Sequence, residues 1–249
     1  MSVDNEQWEA IYQTFAKVWG YQEFRPPQKE VLSCLLQGKD ALIIMPKGGG
    51  KSICFQLPAL LKKGLTLVIS PLVALMENQV NELKSKQLSV ELLHNEVPRK
   101  RRKLTLKKID KQQLRFLYLS PATLLSPPVW ELLNTPHIEI NGFILDEAHC
   151  LVQWGETFRP SYSRLGAVRQ ALLKHKLSDK RIAIAALTAT ADIKSQSIIK
   201  RSLKLKNPQI FAISPYRNNL NLAIKIAWTP LCRRHQLLNF IQQQQKQSG

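Results

Sequence analysis

The chain has 249 residues, of which 44% are hydrophobic and 22% are charged, and both fractions are ordinary for a globular protein. They exclude extensive disorder and allow one large domain or two small ones. The charge is unusual, because 36 Lys and Arg face 18 Asp and Glu and give a formal net charge of +18. A chain this basic is expected to bind polyanions, with nucleic acid as the first candidate and a membrane surface as the second.

The four cysteines lie far apart and show no spacing typical of a zinc site. They are expected to be reduced thiols, mostly buried, as in a cytosolic protein. The acidic N-terminus does not have the pattern of a signal peptide, and no apolar run approaches the length of a membrane span. The sequence therefore predicts a soluble cytoplasmic protein without a membrane partner.

Predicted helices and short apolar strands alternate along the chain. Helices are predicted over residues 6–18 and 27–37, then from near residue 51, and over 72–87. Strands are predicted over residues 41–45, 65–70, 114–119, 142–145 and 182–187. This alternation predicts an α/β fold with a parallel sheet covered by helices on both faces. Polar motifs follow these strands directly, at the edge of the sheet where ligands bind in such folds.

A glycine-rich loop occupies residues 45–52, between a predicted strand and a predicted helix. Its glycines are Gly48, Gly49 and Gly50. They let the backbone turn its N–H groups inward, where these groups and the helix N-terminus can hold phosphate. Lys51 can then reach the β- and γ-phosphates, and the Ser52 hydroxyl can bind Mg²⁺. The strict pattern has glycine at position 45 and the match is to a relaxed form, so an ordinary glycine-rich turn is the alternative.

Two carboxylates follow the apolar strand that ends at residue 145. Asp146 is placed to hold the hydration shell of Mg²⁺ in a phosphate-loop ATPase. Glu147 is placed to orient or deprotonate an attacking water, and His149 could couple the nucleotide to the loop of the neighbouring strand. The alternative is a solvated turn after a strand, where Asp and Glu are common.

The phosphate loop and the Asp-Glu-Ala-His sequence together resemble superfamily 2 helicases. The long segment 149–162, HCLVQWGETFRPSY, closely resembles the aromatic-rich loop of RecQ helicases. This resemblance implies a RecA-like P-loop domain that serves as the ATP-binding lobe of a 3′-to-5′ DNA helicase in repair and recombination. It implies ATP and Mg²⁺ as cofactors and single-stranded or partly duplex DNA as partner. It also implies association with the nucleoid in a bacterium, or a nuclear location in a eukaryote.

The resemblance also assigns roles to residues outside the phosphate loop. Tyr21 would stack on adenine, while Arg25 and Gln28 would contact the nucleotide. Residues 70–72 resemble the motif that touches the DNA backbone, with Ser70 at its start, and residues 187–191 resemble the motif that links the ATP state to the grip on DNA. The latter contains Thr188 and Thr190. As alternatives, Tyr21 is a packed aromatic, Gln28 an exposed helix residue, and the two threonines caps of the next helix.

Three residues of the aromatic-rich loop are expected to relay contact with DNA, by base stacking beside a cation. They are Trp154, Phe158 and Arg159. The alternative is that the two aromatic rings pack beneath the loop. The basic run 99–115 is expected to be a solvated face, with additional phosphate contact as the functional alternative.

The predicted organisation is a helical segment over residues 1–38, the ATP-binding domain over 39–230, and a loose tail over 231–249. The tail would lead toward a second RecA-like domain, either missing or supplied in trans. Lys47 stands where the family usually has threonine, and Glu156 and Thr157 replace its usual His-Asp. The alternatives to the motor lobe are a non-catalytic nucleic-acid-binding protein and an RNA helicase of the same superfamily.

Overall fold

A parallel sheet of seven short strands forms the centre of the computed structural model, which describes residues 4–153, 160–174, 181–214, 224 and 226–247. The strands are β1 (Ala41–Ile44), β2 (Leu65–Ile69), β3 (Val90–Leu93), β4 (Phe116–Leu119), β5 (Ile140–Leu145), β6 (Ala183–Thr188) and β7 (Gln209–Ala212). Their order across the sheet is β3-β4-β2-β5-β6-β1-β7, and every neighbouring pair is parallel. All carboxyl ends therefore meet at one edge of the sheet.

Helices connect the strands and cover the sheet. They are α1 (Asn5–Trp19), α2 (Gln28–Leu36), α3 (Lys51–Leu61), α4 (Val73–Ser85), α5 (Arg99–Asp110), α6 (Pro121–Leu124), α7 (Pro127–Leu133), α8 (Cys150–Gln153), α9 (Pro160–Ser163), α10 (Leu165–Lys174), α11 (Ile193–Ser202) and α12 (Pro230–Gln247). The chain divides into two units, residues 1–215, which hold the sheet, and residues 216–249, which hold α12. Among the described helices, none combines the length and the apolar character that crossing a membrane requires.

The core lies on both faces of the sheet, as the continuous apolar strands predict. In β1, Leu42 and Ile44 belong to the cluster on one face, while Ala41 and Ile43 belong to the cluster on the other. This alternation follows from the two-residue period of a strand. The predicted α/β class and the helix-covered parallel sheet are confirmed.

A third, smaller apolar cluster joins the N-terminal helices to α3. It consists of Ile11, Phe15, Leu32 and Leu57. Asp4 caps α1 by accepting a hydrogen bond from the Gln7 N–H at 2.8 Å, and α1 ends at Gly20. The segment between α1 and α2 is thereby fixed beside the N-terminal end of α3, where the glycine-rich loop ends.

Two strands are absent from the sequence prediction, and the C-terminal tail differs from it. The strands β3 and β7 are not predicted, because β3 contains the charged Glu91 and β7 is a largely exposed edge strand of four residues. The tail after residue 230 was expected to be loose, and this is wrong, because Pro230–Gln247 is an α-helix. Proline is favoured in the first helical turn, and the Gln and Leu residues that follow are good helix formers.

Candidate functional site: a nucleotide cleft at the carboxyl edge of the sheet

The glycine-rich loop joins β1 to the N-terminus of α3. Gly48 and Gly50 both have a φ of +79°, a backbone conformation that favours glycine. A Cβ at Gly50 would collide with the Gln28 amide, whereas a Cβ at Gly48 would have no heavy atom within 4 Å. Lys51 lies across the loop, with its Nζ donating to the Met45 carbonyl at 2.8 Å. The loop therefore has the backbone form of a phosphate cradle, with its lysine folded onto the loop's own carbonyls.

The segment before α2 forms the outer wall of this loop. The Arg25 Nη1 lies 3.4 Å from the Gly48 carbonyl, and the Gln28 Nε2 donates to the Gly50 carbonyl at 3.3 Å. Gln28 is 2% exposed, so it is not the ordinary surface residue of the alternative interpretation. Its Oε1 accepts from the Arg25 N–H at 2.8 Å, which holds the two residues together.

A cleft of about 120 Å³ opens between this wall and the glycine loop, and Tyr21 lies at its side. Tyr21 is 51% exposed, and the centroid of its ring lies 5.7 Å from that of the Phe15 ring. The ring is therefore supported from beneath while much of it faces solvent, which is the arrangement that stacking on a planar ligand requires.

Asp146 and Glu147 follow β5 at the same edge of the sheet. The Asp146 N–H donates to the Ile69 carbonyl at 2.9 Å, and the Ala148 N–H donates to the Leu187 carbonyl at 2.7 Å. Glu147 lies between these two anchors with a φ of +53°, a strained conformation for a residue with a side chain. The backbone on both sides thus fixes the main chain of Glu147 at the carboxyl edge of the sheet.

Burial and charge shape the protonation of the site. Burial raises the pKa of the Asp146 carboxyl, the Gln79 hydrogen bond opposes this, and the neighbouring Glu147 adds to it. Burial lowers the pKa of the Lys51 ammonium, and the carboxylates Glu147 and Asp146 oppose that change. The pair of carboxylates and the lysine are therefore electrostatic neighbours, although the sequence separates them widely.

His149 connects this turn to the end of β6. Its Nδ1 lies 3.2 Å from Glu147 Oε2 and 3.2 Å from Thr188 Oγ1. Thr188 donates its hydroxyl proton to the Thr190 carbonyl at 3.0 Å, so its oxygen acts as an acceptor, from the Thr190 N–H at 3.4 Å and from His149. The network therefore assigns the proton to Nδ1. Asp192, rather than either threonine, caps the following helix.

Sequence reasoning missed Gln79, which lies on α4. Its Nε2 donates to Asp146 Oδ2 at 3.1 Å, while its Oε1 has no hydrogen-bond partner among the described residues. Ser70 is 1% exposed, and its hydroxyl oxygen likewise has no partner there. No sequence motif predicts the role of Gln79, because its contact with Asp146 depends on the orientation of α4 rather than on spacing in the sequence.

The structure brings the remaining predicted residues together only in part. Ser52 lies half-buried in the first turn of α3, and Ser70 lies at the carboxyl end of β2. Trp154, Phe158 and Arg159 lie outside the described residues. The predicted DNA relay through the aromatic-rich loop therefore stays a prediction.

The donor chemistry at this edge fits Mg²⁺ bound to a nucleotide. Magnesium prefers oxygen ligands, and the carboxylate of Asp146 and the hydroxyl of Ser52 supply them at the ends of β5 and the glycine loop. The loop's glycine backbone and the α3 N-terminus fit phosphate oxygens. The residues present therefore fit an ATP–Mg²⁺ site.

Fold and site together define a P-loop nucleotide-binding domain of the RecA-like class. The solved structures to which it is similar include helicase MrfA bound to DNA and AMPPNP, with a TM-score of 0.66, 16% identity, and coverage of 82% of this chain and 29% of that one. The DEAD-box helicase Mss116 bound to single-stranded RNA has a TM-score of 0.62 and 18% identity, covering 85% of this chain and 45% of that one. At such identities these likenesses show the fold alone, and they confirm the predicted RecA-like architecture.

Residues 25–199 match the family model of the DEAD/DEAH box helicases, and the chain belongs to that family. RecQ of Synechocystis sp. is 50% identical over 241 residues, which are 97% of this chain and 50% of the relative. RecQ of Haemophilus influenzae is 38% identical over 232 residues, which are 93% of this chain and 36% of the relative. The resemblance to the RecQ motor domain is thereby confirmed, and the chain spans half or less of the length of these relatives.

Proposed function

We propose that this chain is the ATP-binding motor lobe of a RecQ-like 3′-to-5′ DNA helicase that unwinds duplexes in repair and recombination. One observation carries the proposal. The phosphate-loop Lys51, the carboxylates Asp146 and Glu147, and Thr188 at the end of β6 meet at the carboxyl edge of one parallel sheet. The relatives named above are ATP-dependent DNA helicases, which supports DNA rather than RNA as the substrate.

Each residue of the site has a role in this proposal. The glycine loop holds the phosphates through backbone N–H groups, and Lys51 leaves the Met45 carbonyl to bind the β- and γ-phosphates. Asp146 and Ser52 would hold Mg²⁺, which neutralises charge that develops on the transferred phosphoryl group. Glu147, fixed by its backbone anchors, orients the attacking water.

The outer wall selects the nucleotide base. Tyr21 offers a supported ring for stacking, while Arg25 and Gln28 hold the loop and present polar atoms at the cleft. Gln28 lines the same cleft as Tyr21 and donates to the loop carbonyl of Gly50, so base binding and loop geometry would be linked through one side chain.

The contact between His149 and Thr188 couples the ATP site to DNA. His149 shares its proton between the Glu147 carboxylate and the Thr188 hydroxyl, so a shift of the β6 loop changes the position of Glu147. Ser70, Thr190 and the aromatic-rich loop with Trp154, Phe158 and Arg159 supply the DNA side of the coupling.

The decisive measurement is ATP hydrolysis by the 249-residue chain with and without single-stranded DNA. We expect DNA to raise the rate, Lys51→Ala to abolish it, and Lys39→Ala to leave it unchanged. Lys39 is a matched control because it is exposed and precedes β1, at the opposite edge of the sheet. A rate that DNA does not raise, or that survives Lys51→Ala, contradicts the proposal. Competition between DNA and RNA of equal length tests the choice of substrate.

The rate itself is expected to be low. Related phosphoryl transfers gain about 10³–10⁵ in rate from an arginine supplied by a second domain or partner. We propose that a second RecA-like lobe, in the same polypeptide or in trans, supplies this arginine, in keeping with the greater length of the relatives. Addition of that lobe should raise turnover without changing the affinity for ATP.

A further inference from the structure

The helix α5 is the most strongly basic element of the described chain, and the nucleotide site does not use it. Its twelve residues contain seven cations and a single carboxylate, Asp110. The buried side chains Thr105 and Ile109 anchor it against the body of the protein. Lys100, Lys103 and Lys107 are all exposed.

These three lysines form a stripe along the outer side of α5. Their spacing of three and four residues places them on one face, opposite the buried Thr105 and Ile109. The stripe extends over about 10 Å, at 1.5 Å per residue. Among the described residues, none of the three has a carboxylate within ion-pair distance.

The cations on the flanks of α5 are engaged within the protein, in contrast to the stripe. Lys108 Nζ lies 2.6 Å from Glu91 Oε1, and Arg101 Nη2 lies 4.0 Å from Glu91 Oε2. Arg102 Nη2 donates to the His94 carbonyl at 2.8 Å. Internal pairing therefore fixes the helix through its flanks and leaves the outer lysines available.

The helix begins at the edge of the sheet that carries the nucleotide site. Its first turn follows the carboxyl end of β3, and the connecting turn contacts α6, which directly follows β4, because the Thr123 hydroxyl lies 3.4 Å from Asn95 Oδ1. Ser70, the residue expected to touch the DNA backbone, is joined to the same end of β4 by its N–H, which donates to the Leu119 carbonyl at 3.3 Å. The stripe therefore starts at the same edge of the sheet as Ser70, two strands away in the order β3-β4-β2.

We propose that the lysine stripe of α5, formed by Lys100, Lys103 and Lys107, binds the phosphate backbone of duplex DNA next to the helicase motifs. Duplex DNA presents one negative charge per about 1.7 Å of its axis, so three lysines over this length meet several phosphates. No aromatic residue stands on α5, so the stacking that single-strand binding uses is not available there. This inference rests on the proposed function, because it takes DNA as the partner.

The test compares two triple variants of the 249-residue chain. Lys100→Gln, Lys103→Gln and Lys107→Gln remove the stripe, while Lys17→Gln, Lys39→Gln and Lys63→Gln remove the same charge from exposed positions elsewhere. Gln and Lys have similar helix propensities, so α5 should remain folded, which a melting curve checks. Binding of a labelled blunt duplex is measured between about 50 and 200 mM salt, where phosphate contacts dominate affinity.

We expect the slope of log affinity against log salt to fall by about 2–3 for the stripe variant, since each lost phosphate contact removes roughly one. The control variant should retain nearly the wild-type slope. An equal reduction of this slope in both variants would indicate a general effect of net charge and would overturn the proposal. An unchanged slope in the stripe variant also overturns it, as does a loss of binding to phosphatidylserine vesicles without any loss for duplex DNA.

Failure of this inference can be distinguished from failure of the proposed function. ATP hydrolysis stimulated by single-stranded DNA should persist in the stripe variant, because α5 contributes nothing to the nucleotide site. If stimulation persists while the duplex slope is unchanged, the motor function stands and the stripe proposal falls. The opposite outcome is that DNA fails to stimulate hydrolysis by the wild-type chain while the stripe variant shows a reduced salt slope for duplex binding. In that case the stripe proposal stands and the proposed motor function falls.

Discussion

The Gln79 amide donates to the Asp146 carboxylate at 3.1 Å and thereby joins α4 to the turn after β5. The same helix begins three residues after Ser70, at the turn that is expected to contact DNA. The amide oxygen of Gln79, Oε1, has no hydrogen-bond partner among the described residues, so the contact with Asp146 is the one that orients the Gln79 side chain. Gln79 is therefore a positioning residue for the proposed Mg²⁺ ligand.

Gln79→Met should weaken the response of the chain to Mg²⁺. The substitution keeps the volume of the side chain but removes the donor that orients Asp146, and loss of such a contact around a metal ligand typically costs 10–100-fold in affinity or activity. The measurement is ATP hydrolysis as a function of Mg²⁺ concentration. Asn81→Met, at an exposed position of the same helix, is the control and should leave the curve in place. A shared change in both variants would point to α4 stability rather than to Asp146.

Asp146→Asn should stabilise the fold in the absence of nucleotide while it abolishes hydrolysis. Burial raises the folded-state pKa of Asp146 above its unfolded value, so the native state loses stability as pH rises through that interval. The asparagine avoids this cost, and Gln79 can turn its amide to pair with it. Melting temperatures at acidic and neutral pH check the sign, since about 1 kcal/mol shifts the midpoint by roughly 2–4 °C in a chain of this size. The increase in melting temperature should be present at neutral pH and should vanish below the pKa of Asp146 in the unfolded chain. A variant less stable than the wild type at neutral pH contradicts this prediction.

Gly50→Ala should damage nucleotide binding more than Gly48→Ala. Both positions have a φ of +79°, so an alanine costs about 1 kcal/mol of backbone strain at either one. Only at Gly50 would the new methyl group also collide with the Gln28 amide, which borders the base cleft. Titration with a fluorescent ATP analogue compares the two affinities directly. Equal losses would show that strain alone decides the outcome.

Asp40→Leu should lower the free energy of unfolding by about 3–5 kcal/mol, the usual consequence of leaving one member of a buried ion pair alone. Arg169 Nη1 lies 2.7 and 2.6 Å from the two Asp40 carboxylate oxygens. The same carboxylate accepts from the Ile184 and Lys206 N–H groups, so it joins the start of β6 to the segment before β7. Urea unfolding measures the loss.

The control for that experiment is Glu82→Gln, which removes a surface pair between the exposed Glu82 and the half-buried Lys86. Exposed pairs contribute between about 0 and 1 kcal/mol, so the control should be nearly neutral. If Asp40→Leu costs no more than Glu82→Gln, the buried pair does not link the two strand ends.

The local sequence pattern predicts much of this fold, because apolar runs that form strands and glycines that end helices depend only on residues close together in the chain. The runs at residues 41–45 and 65–70 correspond to β1 and β2 within a residue at either end, and α1 ends where Gly20 adopts a left-handed conformation. The strand β3 escapes prediction because Glu91 interrupts its apolar pattern, and only the tertiary structure supplies the cations that neutralise it. Burial opposes ionisation of Glu91, yet Lys108, Lys84 and Arg101 hold its pKa below the ordinary value.

The sequence by itself predicted the chemistry proposed for the site, because the glycine loop with Lys51 and the Asp-Glu pair are each contiguous motifs whose residue types indicate what they can bind. Only the tertiary structure decided the partners of those residues. Gln79 reaches Asp146 across 67 positions of the chain, and Thr188 reaches His149 across 39. Such contacts depend on strand order and helix orientation, which are set by packing on both faces of the sheet rather than by any local pattern.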